Sequence, residues 1–236
     1  MNSIQKTARF AGVLYLIIAI AAAVAHFYVP SQLIVDGDAT ATANNIRDSE
    51  SLFRIGGIGS ELVVLLSEVV LSVLLYVLLK PVSKTLSLVA AVSRLVMTTI
   101  HGINLLNYFF VLLLLSDADY LEVFEADQVN ALVLLFLDAH SYGFTIGIAF
   151  LTLHVFVLGY LIVKSGYLPR FLGVLFGIAA LGYLIDSFAI LLSPNYGATP
   201  VFLALPIAVA EVAFPLWLLI KGVNVEQWQK RALESA

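Results

Sequence analysis

Six apolar blocks alternate with short polar breaks along the chain, at roughly 10–28, 55–80, 86–115, 128–163, 169–193 and 200–221. A helix rises ~1.5 Å per residue, so about 20 apolar residues cross a ~30 Å hydrocarbon core. Each block meets that length, and the fourth exceeds it. The pattern predicts an all-α fold: a polytopic six-helix transmembrane bundle that makes 1–236 a single transmembrane domain. The longest polar break, about 30–53, contains Asp38 followed by Ala39, Ala41, Ala43 and Ile46. That stretch predicts a short helix, capped by Asp38, lying on the membrane surface in the first outer loop.

Basic residues set the orientation. With the N-terminus in the cytoplasm, the inner segments hold Lys6, Arg9, Lys80, Lys84, Arg94, Lys164, Arg170, Lys221, Lys230 and Arg231, leaving Arg47 and Arg54 outside. The outer side collects acids instead, among them Asp36, Asp38, Asp48, Glu50, Asp117, Asp119 and Glu122. Both termini are therefore expected inside. The run ending Ala23-Val24-Ala25 resembles a signal-peptide cleavage site, but it is long enough to span and is expected to be retained. A composition of 61% hydrophobic and 12% charged residues rules out a water-facing globule, and a net charge of −4 gives no reason to expect nucleic acid. The chain has no cysteine, which excludes thiolate catalysis, disulfides, iron–sulfur clusters and cysteine zinc sites.

Small residues and prolines predict packing. Ala139, Gly143 and Gly147 recur every four residues in the fourth block, as do Gly173 and Gly177 in the fifth. A close contact between those two helices is expected, with no cofactor implied. Gly56-Gly57-Ile58-Gly59 lacks the strand context of a dinucleotide loop. Pro215 in the sixth block leaves the carbonyl of Glu211 without its helical donor.

Ionisable side chains inside spans are costly and normally face the bundle interior. Apart from His26, set aside at the outer end of the first block, the candidates are Arg54, Glu61, Glu68, Arg94, His101, Asp138, His140, His154, Asp186 and Glu211. Counting inward places Glu61, His101, Asp138, His140, Asp186 and Glu211 roughly 10–22 Å below the outer surface, as an outward-facing ion or ligand site. Asp186 and Glu211 are expected at similar depth, able to share a proton or cation. Glu68 and Arg94 form a candidate structural ion pair. Arg94, Thr98, His101, Asn104 and Tyr108 make one polar stripe; Asp138, Ser141, Tyr142, Thr145 and Thr152 make another, with His140 facing nearly opposite Asp138.

His140 and His154 stand fourteen residues apart, the spacing of stacked haems, but only His101 is placed to be a partner ligand, so no cofactor is expected. A zinc-dependent intramembrane hydrolase could draw on His101, His140 and a carboxylate, yet neither H-E-x-x-H nor G-x-S-x-G occurs, and no metal is assigned.

The runs Gly159-Tyr160-Leu161-Ile162, Ser165-Gly166-Tyr167-Leu168-Pro169-Arg170, Leu172-Gly173-Val174-Leu175 and Gly182-Tyr183-Leu184-Ile185-Asp186-Ser187 carry a resemblance, supported by Leu52-Phe53-Arg54-Ile55-Gly56 and Leu75 to Val82. Together they resemble the bacterial multi-pass membrane family catalogued as domain of unknown function 4386. The resemblance implies a bacterial plasma (inner) membrane setting and no established activity. It marks Arg54, Ser165, Pro169, Arg170, Tyr183 and Asp186.

These observations lead to an expected protein that binds or transports a small cation, proton or polar solute. The alternative is a non-catalytic accessory or assembly subunit, with complex partners or a second copy in the bilayer. A metal-dependent hydrolase comes third.

Overall fold

The computed structural model describes residues 3–116, 118–197 and 199–234; Asp117, counted above among the outer acids, lies outside the described residues. In chain order the helices are α1 (Ser3–Leu33), α2 (Ala39–Asp48), α3 (Leu52–Leu79), α4 (Lys84–Leu114), α5 (Ala126–Ser165), α6 (Arg170–Leu192), α7 (Val201–Ile220) and α8 (Val225–Glu234). All but α2 and α8 are long and apolar enough to cross a membrane, and no strand occurs among the described residues.

Local chemistry explains most of the boundaries. The Asp38 carboxylate accepts the Ala41 N–H at 2.8 Å, so the surface helix starts where a capping residue predicts. Ser83 caps α4 in the same way, and Glu125 with Gln128 forms a reciprocal capping box on α5. Helix α5 ends at Gly166, whose φ of 75° lies in the left-handed region.

Helix α1 runs five residues past its expected end at 28. The reason is a π-helical segment, Val24–Tyr28, in which the Val29 N–H reaches back to the Val24 carbonyl. Pro30 has no N–H, and its ring crowds the carbonyl four residues back; the wider turn relieves that conflict and lets the helix continue.

Each spanning helix packs on the next in sequence, and α7 packs back on α1, closing a ring of six. The closure is tight at Gly12, where a Cβ would sit 2.8 Å from the Pro215 carbonyl oxygen. At the end holding both termini, the side chain of Gln5 bonds the Lys221 carbonyl and the Val223 N–H, while the Trp228 indole on α8 donates to the Leu78 carbonyl.

The ring is uneven in height. Helix α5 has 40 residues, ~60 Å, whereas α6 and α7 have 23 and 20, ~35 and ~30 Å. Two apolar cores follow from this. The larger is centred on Tyr15, Leu71, Leu158, Phe176 and Phe214 and draws on all six spans. The smaller, at the α2 end, joins Val29, Ile46, Phe53, Tyr108 and Val133 and receives nothing from α6 or α7.

The glycine expectation needs correcting. Helices α5 and α6 do meet closely, but through Gly159 and Gly173: a Cβ on Gly173 would lie 2.5 Å from the Gly159 carbonyl oxygen. Gly177 faces open space. Gly143 and Gly147 face α4, where added Cβ atoms would fall on Asn104 Oδ1 and His101 Nε2, at 1.9 and 2.1 Å. These two glycines make room for polar side chains, whereas Gly159 and Gly173 bring two backbones together.

Candidate functional site: two buried polar clusters

The α4 stripe is buried along its whole length, from Arg94 through Thr98, His101 and Asn104 to Tyr108. Its two ends anchor two separate clusters.

At the first, Arg94 Nε and Nη2 bond the two carboxylate oxygens of Glu68 on α3, the latter at 2.8 Å. Arg94 Nη1 donates to Tyr15 Oη on α1 at 3.0 Å and meets His154 Nε2 on α5 at 3.0 Å. The other ring nitrogen, His154 Nδ1, lies 2.8 Å from the Ala90 carbonyl oxygen. A carbonyl can only accept, so Nδ1 carries the hydrogen and Nε2 keeps a lone pair for Arg94. The guanidinium is thus held on three sides, with its charge balanced by a bidentate carboxylate. This is the Glu68–Arg94 pair that the sequence suggests.

The second cluster is centred on Glu61, two residues past the end of another π-helical segment, Leu52–Gly59. Glu61 Oε1 lies 3.2 Å from His140 Nε2 on α5 and 3.7 Å from His26 Nε2 on α1. The Glu61 and His140 side chains are only 4% and 5% exposed, and His26 18%. Glu61 Oε1 and His140 Nε2 are both buried without a hydrogen bond of acceptable geometry.

Aromatic stacking fixes the rings: Tyr108 lies 3.8 Å from His140, and Phe144 sits between His26 and His101 at 4.3 and 4.8 Å between centroids. His101 Nε2 is engaged with the Phe144 carbonyl at 3.0 Å, and Asn104 donates to the His140 carbonyl. Gly56 belongs here too, since a Cβ on it would strike Val29 at 2.8 Å, where the two π-helical segments touch. The glycine run is therefore a packing feature.

Of the six residues expected to form one site, the structure brings together Glu61, His101 and His140. Asp138 is exposed on the outside of α5, together with Ser141 and Tyr142. Thr145 and Thr152 of the expected α5 stripe are buried, but Asp138, Ser141 and Tyr142 are not, and the inward face carries His140, Gly143, Gly147 and His154. Asp186 accepts hydrogen bonds from Tyr196 Oη at 2.7 Å and Thr199 Oγ1 at 2.9 Å, which tie down the α6–α7 loop. That bond to Asp186 pushes the Tyr196 phenol up to about 12. Glu211 instead takes Tyr183 Oη at 3.3 Å. Asp186 and Glu211 thus have different partners and do not share one. His140 and His154 belong to different clusters, and among the described residues no three His, Asp or Glu side chains are grouped to hold a metal ion.

His26 is the residue that the sequence reading set aside. The apolar block ends at 28, but counting from the true helix end at Leu33 puts His26 seven residues in, much as Glu61 stands nine residues in from Leu52. Tyr15 gave no signal beyond being one hydroxyl in an apolar block. Among the motif residues, Ser165 accepts the Leu168 N–H and Tyr167 Oη donates to the Leu78 carbonyl, so that motif builds the α5–α6 turn. Burial also pushes the Tyr167 phenol up. Arg54 is exposed and pairs with Glu50 one turn away.

No solved structure matches this chain. An uncharacterized protein of Archaeoglobus fulgidus is 30% identical over 182 residues, covering 75% of this chain and 88% of that protein. Residues 10–222 match the family described as Domain of unknown function (DUF4386), and the chain belongs to that family.

Proposed function

We propose that this protein is a non-catalytic membrane bundle that binds, and exchanges with the outside, a small cation, proton or polar solute at the Glu61 cluster. One observation carries the reading: Glu61 Oε1 and His140 Nε2 face each other in the interior without a hydrogen bond. Buried polar atoms are nearly always paired, and the exceptions tend to be functional. The backbone adds support. Three of the helices around the cluster leave regular α geometry beside it, in the π-helical segments Val24–Tyr28 and Leu52–Gly59 and at a break at Leu105. Such irregularities concentrate at functional sites. A metal-dependent hydrolase reading has less support, since among the described residues no three His, Asp or Glu side chains are grouped to hold a metal ion.

Charge asymmetry supports an orientation with both termini in the cytoplasm and the α2 end outside; the bacterial plasma membrane as host is what the family resemblance implies. The chain has no cysteine of its own, so single cysteines can report the orientation. Cysteines at Ser31 and Asp119 should label with impermeant reagents in whole cells, and one at Lys230 should not.

The binding test uses protein in lipid nanodiscs, its melting followed across pH and with sodium or methylammonium added. At least one condition should shift the wild type and leave Glu61→Gln unmoved. If no condition separates the two, the site is inert.

A second reading, as subunit of a larger membrane assembly, is favoured by Asp138, Ser141 and Tyr142. A carboxylate on the outward face of a spanning helix, beside a tyrosine 56% exposed, calls for a covering partner. Crosslinking from Tyr142 would detect one.

A further inference from the structure

Resting on that binding-site reading, the ligand can be narrowed by the donors and the space that the Glu61 cluster offers. Calcium and magnesium ions take about six or more oxygen ligands, and this cluster presents a single carboxylate. Zinc-like ions need a converging set of donors, and His101 Nε2 is already engaged with the Phe144 carbonyl. No three side chains among the described residues are grouped tightly enough. An organic cation would want an aromatic face, but Tyr108 is covered by His140, and Phe144 by His26 and His101. A proton needs neither volume nor a ligand shell.

We infer that Glu61 and His140 share one exchangeable proton, delivered through His26. The titratable groups facing Glu61 are His26 from α1, His101 and Tyr108 from α4, and His140 from α5. On α3 itself the nearest are Arg54, exposed and paired with Glu50, and Glu68, bound to Arg94, each seven residues away. His26 is the most exposed histidine of the set and forms the entry.

The relay conserves atoms and charge. His26 starts with hydrogen on Nε2. It takes a proton on Nδ1 from a hydronium ion, which leaves as water, and gives its Nε2 proton to Glu61 Oε1 across 3.7 Å. The carboxylic acid then passes that proton to His140 Nε2 across 3.2 Å, leaving an imidazolium beside a carboxylate in a charge-assisted contact. His26 regains its first tautomer by proton exchange with water.

The route stops there. Deeper in the bundle, Arg94 only donates, and His154 Nε2 is occupied by it. The site therefore stores a proton and does not conduct one across the membrane. Its arrival changes the contact between α3 and α5 next to the π-helical segments of α1 and α3 and the Leu105 break of α4, where those three helices bend most readily.

Infrared difference spectra of the full chain in nanodiscs, between about pH 5 and about pH 8 in light and heavy water, test this. The expected result is a carboxylate band that shifts as the imidazolium forms beside it, with accompanying deuterium-sensitive imidazole bands. The carboxylate band is lost in Glu61→Gln, loses its imidazole partners in His140→Gln, and is unchanged in Asp138→Asn. Glu61→Asp keeps a carboxyl and should move the band; this covers the case in which Glu61→Gln fails to fold. A difference spectrum identical in wild type and both Glu61 variants overturns the assignment. If that happens while sodium or methylammonium still stabilises wild type but not Glu61→Gln, the proton is wrong and the binding site stands. If pH, sodium and methylammonium all leave wild type and variant alike, both readings fall.

Discussion

Glu68 and Glu61 lie two turns apart on one face of α3, and each meets a histidine of α5 or its partner inside the same ring of helices. The first is embedded in a closed set of bonds: Arg94 takes both its oxygens, and Tyr15 and His154 occupy the rest of the guanidinium. The second meets three histidines and is left with an unbonded oxygen. The residue types are nearly the same, and the difference is one arginine. An arginine supplies fixed donors that a carboxylate must accept. Imidazoles supply a proton or withhold it, so a cluster built on them has two states. The closed cluster holds the helices in register, and the open one responds to what reaches it.

The largest effect should come from breaking the closed cluster. Arg94→Leu leaves the Glu68 carboxylate buried and alone, which costs about 3–5 kcal/mol. Glu61→Gln removes a charge that has no arginine partner and should cost far less, within about 1 kcal/mol. Adding Glu68→Gln to Arg94→Leu should recover part of the loss. Unfolding in detergent, by heat or by denaturant titration, measures all of these. Equal losses for Arg94→Leu and Glu61→Gln would erase the distinction between the clusters.

The same contrast shows what the sequence could and could not reveal. The six spans were legible because hydropathy over about 20 residues is a strong signal. The α4 stripe was legible because Arg94, Thr98, His101, Asn104 and Tyr108 keep a helical period in a helix with apolar residues on its other faces. In α5 the polar residues fall on more than one face, so the pattern does not fix a phase. Asp138 with Ser141 and Tyr142 suggested one face, whereas the inward face is the one with His140, Gly143, Gly147 and His154. Periodicity gives a face and not its partner. Hence Gly143 and Gly147 were matched to α6 when they shelter Asn104 and His101 of α4. His26 stands inside the span because the π-helical turn at Val24–Tyr28 lets the helix run on past the apolar block.

A smaller effect sharpens the packing side of the comparison. Gly173→Ala drives a methyl to 2.5 Å from the Gly159 carbonyl oxygen, backbone that cannot step aside, and should cost about 1–3 kcal/mol. Gly177→Ala, four residues on along the same helix, enters open space and should be neutral or slightly stabilising through helix propensity. Gly147→Ala is the informative third member, because its methyl meets the His101 ring at 2.1 Å. Its loss of stability should be accompanied by a disturbed Glu61 cluster, seen as altered imidazole bands, whereas Gly173→Ala should leave those bands alone. If Gly147→Ala melts like wild type with unchanged imidazole bands, the His101 ring has room to move and the α4–α5 fit is looser than described.

The smallest effect concerns Asp186, a third carboxylate whose partners are neutral hydroxyls. Asp186→Asn keeps an acceptor for Tyr196 or Thr199, so neutral-pH stability should change by only a few tenths of a kcal/mol up to about 1. The difference appears in alkali. The folded-state value of Tyr196 is raised above its ordinary 10 to about 12 by its bond to Asp186. A raised phenol favours folding fully below about pH 10, where both states keep the proton. That advantage fades as pH rises from about 10 to 12, because the unfolded chain loses its proton first. Wild type should therefore lose stability across that window relative to Tyr196→Phe, which has no phenol to titrate. The same change should appear directly as a Tyr196 titration, followed by ultraviolet absorbance, that moves down in Asp186→Asn. An unmoved titration would mean that the Tyr196–Asp186 bond does not hold the α6–α7 loop in solution, and Asp186 would rejoin Glu61 as a carboxylate without a fixed partner.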